Sequence, residues 1–466
     1  MKSQAVNRNA GTIIIGAGLS GLTAAYTLHQ AGHPYILLEA APRPGGLIQT
    51  ITEHGFQIEA GPHTFPSTAQ ELLTLCESLG LKPKETNSLA QKRYLYLNGR
   101  LVSLPSKPWQ AISTPALSWR GKLRVLQEPF QPRTMATDIS VADFVENRLG
   151  AEVLHNLVDP FISGIYAGNV AELSLPAVFP KLWEWEQTGG SLFKGAQFAQ
   201  KKAVASRTKS SRHTSMRLLS FARGLRALIE AISRILDAEH IRYEYSVTGL
   251  EALSPDGFKV RTQTGEMFEG QSIILATPAH ISSRLLRGLN ATASQALFSI
   301  PYNSLTVVHL GFPRSVIPHS LDGFGCLIPR KEKLPLLGVI WASSLFPGRV
   351  PPGQCLLSCY IGGAHHPEIA GWPPENIQQL VLDNLQRLFK APALSPTFSR
   401  VLNYEKAIPQ YTLGHRERIE TIENALAKTH SGLFLCGNYL HGIALNECVK
   451  SGQAAADQVL HPLQKK

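Results

Sequence analysis

Apolar and polar positions near the N-terminus predict a strand, a helix and a second strand in close succession. Thr12–Ile15 is a short run of strand-forming apolar residues, and the helical pattern after it ends at Gly32. A second apolar run, Tyr35–Leu38, ends at the acidic residue Glu39. A glycine-rich turn, GAGLSG at 16–21, joins the first strand to the helix. The segment is therefore predicted to fold as a βαβ unit.

The glycine turn has the spacing that a bound dinucleotide requires. Gly16 permits a tight turn, Gly18 lets the backbone approach a pyrophosphate, and Gly21 lets helix and strand pack closely. Free N–H groups and the positive end of the helix dipole would face the phosphates. Glu39 would accept hydrogen bonds from a ribose diol, and its charge argues against a 2′-phosphate. The predicted contacts in the turn are Gly16, Ala17, Gly18, Leu19, Ser20 and Gly21.

The rest of the chain alternates between strand-like and helical patterns, which favours an α/β fold with more than one domain. Strands are predicted at 241–247, 257–262, 272–278 and 433–438, and helices at 375–390 and 443–459. The nucleotide domain is therefore predicted to be Rossmann-like and discontinuous. We expect it at 10–65, 220–285 and 400–463, a mixed-sheet second domain at 66–104 and 286–399, and a helical insert at 105–219.

Three local patterns carry further predictions. Residues 91–104 alternate around Asn98-Gly99, which predicts a β-hairpin with a type I′ turn. Apolar residues recur at helical spacing from Leu218 to Leu236, with Gly224 suggesting close packing. Residues 191–217 contain no acid, and we favour a solvated loop there over a contact with anionic headgroups or an acidic substrate. Their basic residues are Lys194, Lys201, Lys202, Arg207, Lys209, Arg212 and Arg217.

Composition indicates a globular protein of two or three domains. The 466 residues are 44% hydrophobic and 17% charged, and no apolar stretch is long enough to span a bilayer. We recognise no signal peptide. The six cysteines contain no CxxC pair and are interpreted as reduced core thiols of a cytosolic protein, and we expect no metal. A net charge of +11 implies acidic partners without identifying them, although we do not expect nucleic acid.

Several motifs resemble known flavoproteins. The glycine motif cannot choose between FAD and NAD, but Arg43-Pro44-Gly45-Gly46 is similar to the stretch that closes over FAD in the flavoprotein amine oxidase superfamily. More specific are AIPQYTLGH at 407–415, GIYAGN at 164–169, and GNY at 437–439 followed by GIALN at 442–446. These resemble the oxygen-dependent protoporphyrinogen oxidase family over about residues 11–460.

The resemblance implies FAD as cofactor and six-electron oxidation of protoporphyrinogen IX to protoporphyrin IX in heme biosynthesis, with oxygen reduced to hydrogen peroxide. It implies that Arg93 pairs with a substrate propionate and that the Gly164 carbonyl faces the tetrapyrrole. Tyr360 departs from the family, which usually has Phe or Met there. The remaining implied ring contacts are Phe324, Leu327 and Ile340. The further implied cofactor contacts are Ala40, Arg43, Gly46, Leu47, Gly61, Pro62, His63, Thr64, Val247, Ile443, Ala444 and Leu445.

Other functions stay open at the level of sequence. The residues do not separate protoporphyrinogen IX from coproporphyrinogen III, and a wider set of cavity cations would favour the latter. A flavin amine oxidase, a carotenoid desaturase and a non-catalytic flavin-binding protein are the alternatives. The resemblance also suggests a membrane-associating insert and handoff of product to a ferrochelatase, and we consider a homodimer. We expect a cytoplasmic protein with peripheral contact at the inner face of the cell membrane.

Overall fold

The apolar run Thr12–Ile15 lies in the first strand of a seven-stranded sheet. The computed structural model describes residues 6–104, 114–205, 217–254 and 257–461. Its strands are β1 (Val6–Ile15), β2 (Tyr35–Leu38), β3 (Thr50–Glu53), β4 (Phe56–Glu59), β5 (Phe65–Pro66), β6 (Lys84–Glu85), β7 (Tyr94–Leu97), β8 (Arg100–Ser103), β9 (Leu218–Ser220), β10 (Ile241–Arg242), β11 (Val247–Ala252), β12 (Phe258–Thr262), β13 (Met267–Leu275), β14 (Tyr302–Pro313), β15 (Gly325–Leu327), β16 (Leu336–Ile340), β17 (Gln354–Gly362), β18 (Phe398–Pro409) and β19 (Leu433–Leu435).

Helices cover both faces of this sheet and form most of a separate insert. They are α1 (Leu19–Gln30), α2 (Gln70–Ser78), α3 (Trp119–Leu126), α4 (Val141–Leu149), α5 (Ala151–Val153), α6 (Asp159–Tyr166), α7 (Leu175–Val178), α8 (Pro180–Gly189), α9 (Leu192–Ala205), α10 (Arg226–Ile235), α11 (Ala279–Leu286), α12 (Ala291–Phe298), α13 (Ala342–Leu345), α14 (Pro374–Phe389), α15 (His415–Thr429) and α16 (Leu445–Leu460).

The first sheet has the order β10-β2-β1-β13-β12-β11, with β19 pairing with β13. The strands β2, β1, β13 and β19 run parallel, whereas β12 is antiparallel to both of its neighbours. Side chains of β1 alternate between two cores, so that Ile14 faces the side of α1 and α16 and Ile13 faces that of α12 and α15. Burial on both faces explains the apolar runs at 12–15, 35–38 and 273–275 in these strands. Three distant parts of the chain build this one sheet.

The second sheet has the order β18-β14-β17-β16-β15-β7-β8 and packs one face against α14. Its edge is the hairpin β7–β8, where positive φ angles of 51° at Asn98 and 70° at Gly99 confirm the predicted turn. Residues Phe398–Pro409 pair with β14 in this sheet, although the range 400–463 was predicted to belong to the first. This pairing joins segments about a hundred residues apart, which local patterns do not reveal.

The insert contains α3 to α9 in the described part of the chain; residues 105–113 and 206–216 of the predicted insert lie outside it. A buried ion-pair triad joins its helices. Arg148 is 1% exposed and contacts Glu128 Oε1 at 2.8 Å and Glu186 Oε1 at 3.2 Å. Its guanidinium also donates hydrogen bonds to the carbonyls of Pro132 and Gly190, so the buried cation is bonded to two carboxylates and two carbonyls. The triad fixes how the insert helices pack.

Two predictions on the basic stretch and its sequel are wrong. Residues 192–205 form α9 rather than a loop. Ser191 caps the helix by accepting a hydrogen bond from the N–H of Lys194, and Glu128 accepts hydrogen bonds from the N–H groups of Leu192 and Phe193. The basic residues Arg207, Lys209 and Arg212 lie outside the described residues. Leu218–Ser220 is a strand, not a helical turn, and the helix starts only at Arg226 after Gly224, whose φ is +77°.

Some element bounds also differ. The strand expected at 241–247 is two short pieces, β10 and the start of β11, separated by a turn with Glu244 at φ 64°. The last helix begins at Leu445, two residues after the predicted start at Ile443. No helix within the described ranges is both long enough and apolar enough to cross a membrane.

Arg148→Met should destabilise the protein by about 3–5 kcal/mol, because it leaves two buried carboxylates without their cation. Urea denaturation followed by circular dichroism measures the change. Arg120→Met is the matched control, since Arg120 is exposed on α3 of the same insert. An equal, small effect of both substitutions would contradict a structural role for the triad.

Candidate functional site

The glycine turn after β1 leaves open space where a phosphate group would lie. Gly16 has φ +105°, and a Cβ there would lie 2.9 Å from the carbonyl oxygen of Ala276. A Cβ at Gly21 would collide with the carbonyl of Gly16, so helix and turn are in direct contact. A Cβ at Gly18 would meet no atom within 4 Å. No side chain caps α1, which begins at Leu19, and its N-terminal N–H groups therefore suit an anion.

The acid at the end of β2 fastens this turn. Glu39 accepts hydrogen bonds from the N–H groups of Ala17 at 2.6 Å and Ala41 at 2.8 Å. The predicted contact of Glu39 with a ribose stays a prediction. Ala40, the next residue in the chain, is exposed. The carbonyl of Glu39 accepts from the N–H of Tyr245 at 2.8 Å. That bond brings the buried Val247, two residues further on at the start of β11, toward this end of the turn.

Residues 43–47 fold over the glycine turn. The N–H of Gly45 donates to the carbonyl of Ala17 at 2.7 Å. Arg43 secures the segment by donating to the carbonyl of Gly46 at 3.3 Å and to Gln49 Oε1 at 2.7 Å. A Cβ at Gly46 would come near the Cα of Gly18, at 3.5 Å. The stretch that was predicted to close over a cofactor therefore borders the open side of the turn.

The turn at 61–64 continues this wall. A Cβ at Gly61 would lie 2.5 Å from the carbonyl oxygen of Leu47, and Pro62 and Thr64 are half-buried. His63 is buried, and its Nε2 has no hydrogen-bond partner among the described residues. Burial, together with His309 and Arg349, lowers the pKa of His63 to about 3, so the imidazole is neutral. A buried imidazole nitrogen without a partner points to a group that the protein itself does not supply.

The C-terminal helix reaches the same edge of the sheet. A Cβ at Gly452 would collide with the carbonyl of Ser20, so α16 packs directly against the start of α1. Ala444 is the N-cap of α16, and no side chain caps it. Ile443 is half-buried against the core of the insert. Ile443–Leu445 therefore lie near the glycine turn at a second uncapped helix N-terminus.

These features fit FAD. The open turn and uncapped α1 would hold the pyrophosphate, Glu39 and Val247 border one end of the turn, and the N-terminus of α16 and the His63 turn border the other.

The second sheet supplies an apolar wall. Leu327 pairs with Gly338, which in turn pairs with Tyr360, so that three adjacent strands present these residues side by side. The Tyr360 ring lies 6.2 Å from that of His63, which joins the wall to the cofactor side. Burial raises the pKa of Tyr360, and its hydroxyl has no hydrogen-bond partner among the described residues. Phe324 and Ile340 pack together beside this wall.

Arg93 stands at the rim of the wall. Its guanidinium lies 5.8 Å from the centroid of the Phe324 ring. The side chain is exposed and forms no ion pair with any residue in the described ranges. The N–H of Phe324 donates to the carbonyl of Lys92 at 2.8 Å, which fixes the rim to the wall. An unpaired cation beside aromatic and aliphatic side chains suits an apolar anion.

The insert closes the wall from the opposite side. A Cβ at Gly164 would collide with Leu327 Cδ2, so α6 lies directly on the sheet at this point. Two residues that the sequence reasoning did not assign hold the end of α6. Asn303 donates to the carbonyl of Ala167 at 2.8 Å, and Gln410 donates to that of Tyr166 at 2.8 Å. The sequence signal for these two residues was a polar side chain close to the end of a strand, β14 for Asn303 and β18 for Gln410.

The motif at 407–415 is the junction of three parts of the molecule. Besides the bond from Gln410 to α6, the Tyr411 hydroxyl donates to the carbonyl of Asn438 at 2.5 Å. The N–H of Ser174 donates to the carbonyl of Tyr411 at 2.8 Å, and that of Gly414 to Asp138 at 2.7 Å. These hydrogen bonds give a physical reason for the particular residues of the motif at 407–415.

A buried ion pair behind the wall was also missed. Glu59 Oε1 lies 3.2 Å from Arg349 Nη1, and the guanidinium also donates to the carbonyl of Phe221 at 2.9 Å. Burial raises the pKa of Glu59 to about 7 despite the neighbouring cation. The pair ties β4 to the segment before α10. Its sequence signal was the acid Glu59 at the end of β4, a strand in which apolar and polar residues alternate.

Comparisons with known proteins agree with this geometry. Protoporphyrinogen oxidase 1, chloroplastic, of Arabidopsis thaliana is 33% identical over 470 residues, covering 96% of this chain and 87% of that protein. Coproporphyrinogen III oxidase of Bacillus subtilis is 29% identical over 465 residues, covering 96% and 97%. A crystal structure of a protein from Exiguobacterium has a TM-score of 0.81 at 24% identity, covering 98% and 99%.

The fold also extends to amine-oxidising proteins. Cyclohexylamine oxidase from Brevibacterium oxydans has a TM-score of 0.73 at 17% identity, covering 98% of this chain and 100% of that one. The family model described as flavin containing amine oxidoreductase matches residues 19–460. The chain therefore belongs to the flavin containing amine oxidoreductase family and is an FAD-dependent oxidoreductase.

Proposed function

We propose that this chain oxidises a porphyrinogen to a porphyrin in heme biosynthesis, and that its substrate is protoporphyrinogen IX. The observation that carries the proposal is the apolar wall of Leu327, Gly338 and Tyr360, closed by Gly164 and bordered by the unpaired Arg93. A flat, apolar macrocycle with propionates matches such a slot. The names of the plant relatives support this substrate class.

The residues of the chain then act mainly by binding and placement. Bound FAD would supply hydride acceptance, and the six electrons from one substrate would reduce three O2 to three H2O2. Arg93 would hold a propionate carboxylate, and the wall would orient the ring and exclude water. His63 is neutral and buried, so it would add no charge beside the ring. Aromatisation favours the reaction, and no catalytic side-chain base is assigned.

Coproporphyrinogen III is the second candidate substrate, because relatives from Bacillus subtilis and Staphylococcus aureus are named coproporphyrinogen III oxidase. It carries four propionates instead of two. Arg93 is the cation that we assign to the rim of the wall, which suits the less charged substrate better.

Purified protein should oxidise protoporphyrinogen IX faster than coproporphyrinogen III in air, with three peroxides formed per porphyrin. Arg93→Gln should raise KM about tenfold to a hundredfold, because a charge-assisted hydrogen bond is lost. Porphyrin fluorescence and peroxide release measure both effects. The matched control is Arg100→Gln, an exposed arginine on the same hairpin. Turnover of neither substrate above the air blank would refute the proposal.

We also propose that the insert contacts an anionic membrane surface. Trp119, Leu123 and Leu126 share one face of α3 and are 72%, 58% and 67% exposed. Phe130 and Met135, which follow α3 in the insert, are 85% and 89% exposed. The same helix carries the cations Arg120 and Lys122. Apolar side chains among cations are typical of a helix that lies in a lipid interface.

Trp119→Gln combined with Leu126→Gln should abolish cosedimentation with anionic vesicles at low salt, because both side chains would insert among the lipids. Phe298→Gln is the matched control, since Phe298 is 74% exposed but lies outside the insert. Pelleting of the double variant at the level of the unaltered protein would contradict this surface. A cytoplasmic location, a homodimer and handoff to a ferrochelatase stay predictions.

A further inference from the structure

A cavity lies beside α6, next to the proposed substrate wall. Its volume is about 560 Å³, within the range typical of ligand sites. Ser163 and Ile328 line it, and each is the chain neighbour of a wall residue. The contact between Gly164 and Leu327 therefore lies between the proposed substrate wall and this cavity. The apolar lining is formed by Ile328, Leu334, Leu336, Leu337, Ile369 and Leu380.

Consecutive residues of α6 face the wall and the cavity. Gly164 lies against Leu327, and Ser163 is rotated from it by about 100° around the helix axis. Ser163 is 2% exposed and faces the cavity. None of the residues assigned to the substrate wall lines the cavity. It is therefore not an extension of the wall already described.

The rim of the cavity is positively charged. Arg330 and Lys333 are exposed on it, and neither forms an ion pair with a residue in the described part of the chain. The acid of the rim, Glu368, has a partner already, because its Oε1 lies 3.2 Å from His366 Nδ1. The Asp159 carboxyl is buried on the preceding turn of α6; burial raises its pKa, and its electrostatic interaction with Arg330 opposes that shift. Arg330 and Lys333 still outnumber Glu368, the one acid among the described residues that line the cavity.

His365 supplies a polar group inside the lining. Its Nε2 is buried and has no hydrogen-bond partner among the described residues. Burial, with a contribution from Arg330, lowers the pKa of His365 to about 4. A neutral imidazole can donate one hydrogen bond to a bound oxygen. Trp372, which is 41% exposed, adds an aromatic surface at the edge.

We propose that this cavity binds an amphiphilic carboxylate, with its apolar body against the leucine lining and its carboxylate on Arg330. Two sources share this chemistry: a long-chain fatty acid, and the porphyrin product with its propionates. The tetrapyrrole source rests on the proposed function, whereas the fatty-acid source does not. The apolar lining favours a ligand with an apolar body, and the rim cations, which form no ion pair with the described residues, favour an anionic head group.

Equilibrium binding of oleate and of protoporphyrin IX to the FAD-loaded protein tests the proposal. Arg330→Gln should weaken binding of the true ligand about tenfold or more, because a charge-assisted hydrogen bond is lost. Lys331→Gln is the matched control, since Lys331 is exposed in the same turn and does not line the cavity. Flavin absorbance and thermal unfolding verify that each variant is folded.

The variants separate the sources and the two sites. Oleate binding that Arg330→Gln weakens supports a fatty-acid site, whether or not the protein oxidises porphyrinogens. Porphyrin binding that survives Arg93→Gln but is weakened by Arg330→Gln supports a product site. The proposal is overturned if neither ligand binds, or if Arg330→Gln and Lys331→Gln have equal effects. Porphyrin binding that depends on Arg93 alone, with no oleate binding, overturns it as well.

Discussion

The end of α6 is the point on which the proposed site depends. Ala167 adopts a left-handed conformation with φ 48°, which is unfavourable for a residue with a Cβ. Its carbonyl accepts from Asn303 and from the N–H of Ala364, both at 2.8 Å, while Gln410 holds the carbonyl before it. These bonds come from the second sheet and the motif after it. They hold the end of α6 against the sheet at Leu327. The position of α6 in turn bounds both the proposed substrate slot and the neighbouring cavity.

Four arginines have two different physical roles in the structure: two are buried with partners, and two are exposed without an ion pair among the described residues. Arg148 and Arg349 are buried and fully engaged with carboxylates and carbonyls, so their charge is neutralised inside the fold. Arg93 and Arg330 are exposed over apolar surfaces and have no ion-pair partner among the described residues. Removal of a buried partner costs stability, whereas an unpaired cation is available to an anionic ligand. This contrast is the electrostatic basis of both binding proposals.

Local sequence patterns predicted the parts of the fold that local forces determine. The strand, glycine turn and helix at 12–30 and the Asn98-Gly99 hairpin are specified by residues that are neighbours in the chain. The start of α9 depends partly on Glu128, which lies 64 residues before Leu192, but its local cap, Ser191, was not recognised in the sequence. The Glu59–Arg349 pair was missed because its members are 290 residues apart. The proposed site required a resemblance, because Arg93, Gly164 and Tyr360 are far apart in the chain and only long-range packing brings their segments to the second sheet.

The most direct test mixes the FAD-loaded protein with protoporphyrinogen IX in the absence of oxygen and follows the flavin absorbance. We expect rapid loss of the oxidised flavin spectrum with the unaltered protein. We expect much slower loss with Gly164→Val, whose side chain would collide with Leu327 Cδ2 and move the Leu327 side chain within the proposed slot. A flavin that stays oxidised at saturating substrate would contradict the central claim that this wall presents a porphyrinogen to the cofactor. An equally fast reaction in Gly164→Val would show that α6 does not close the slot.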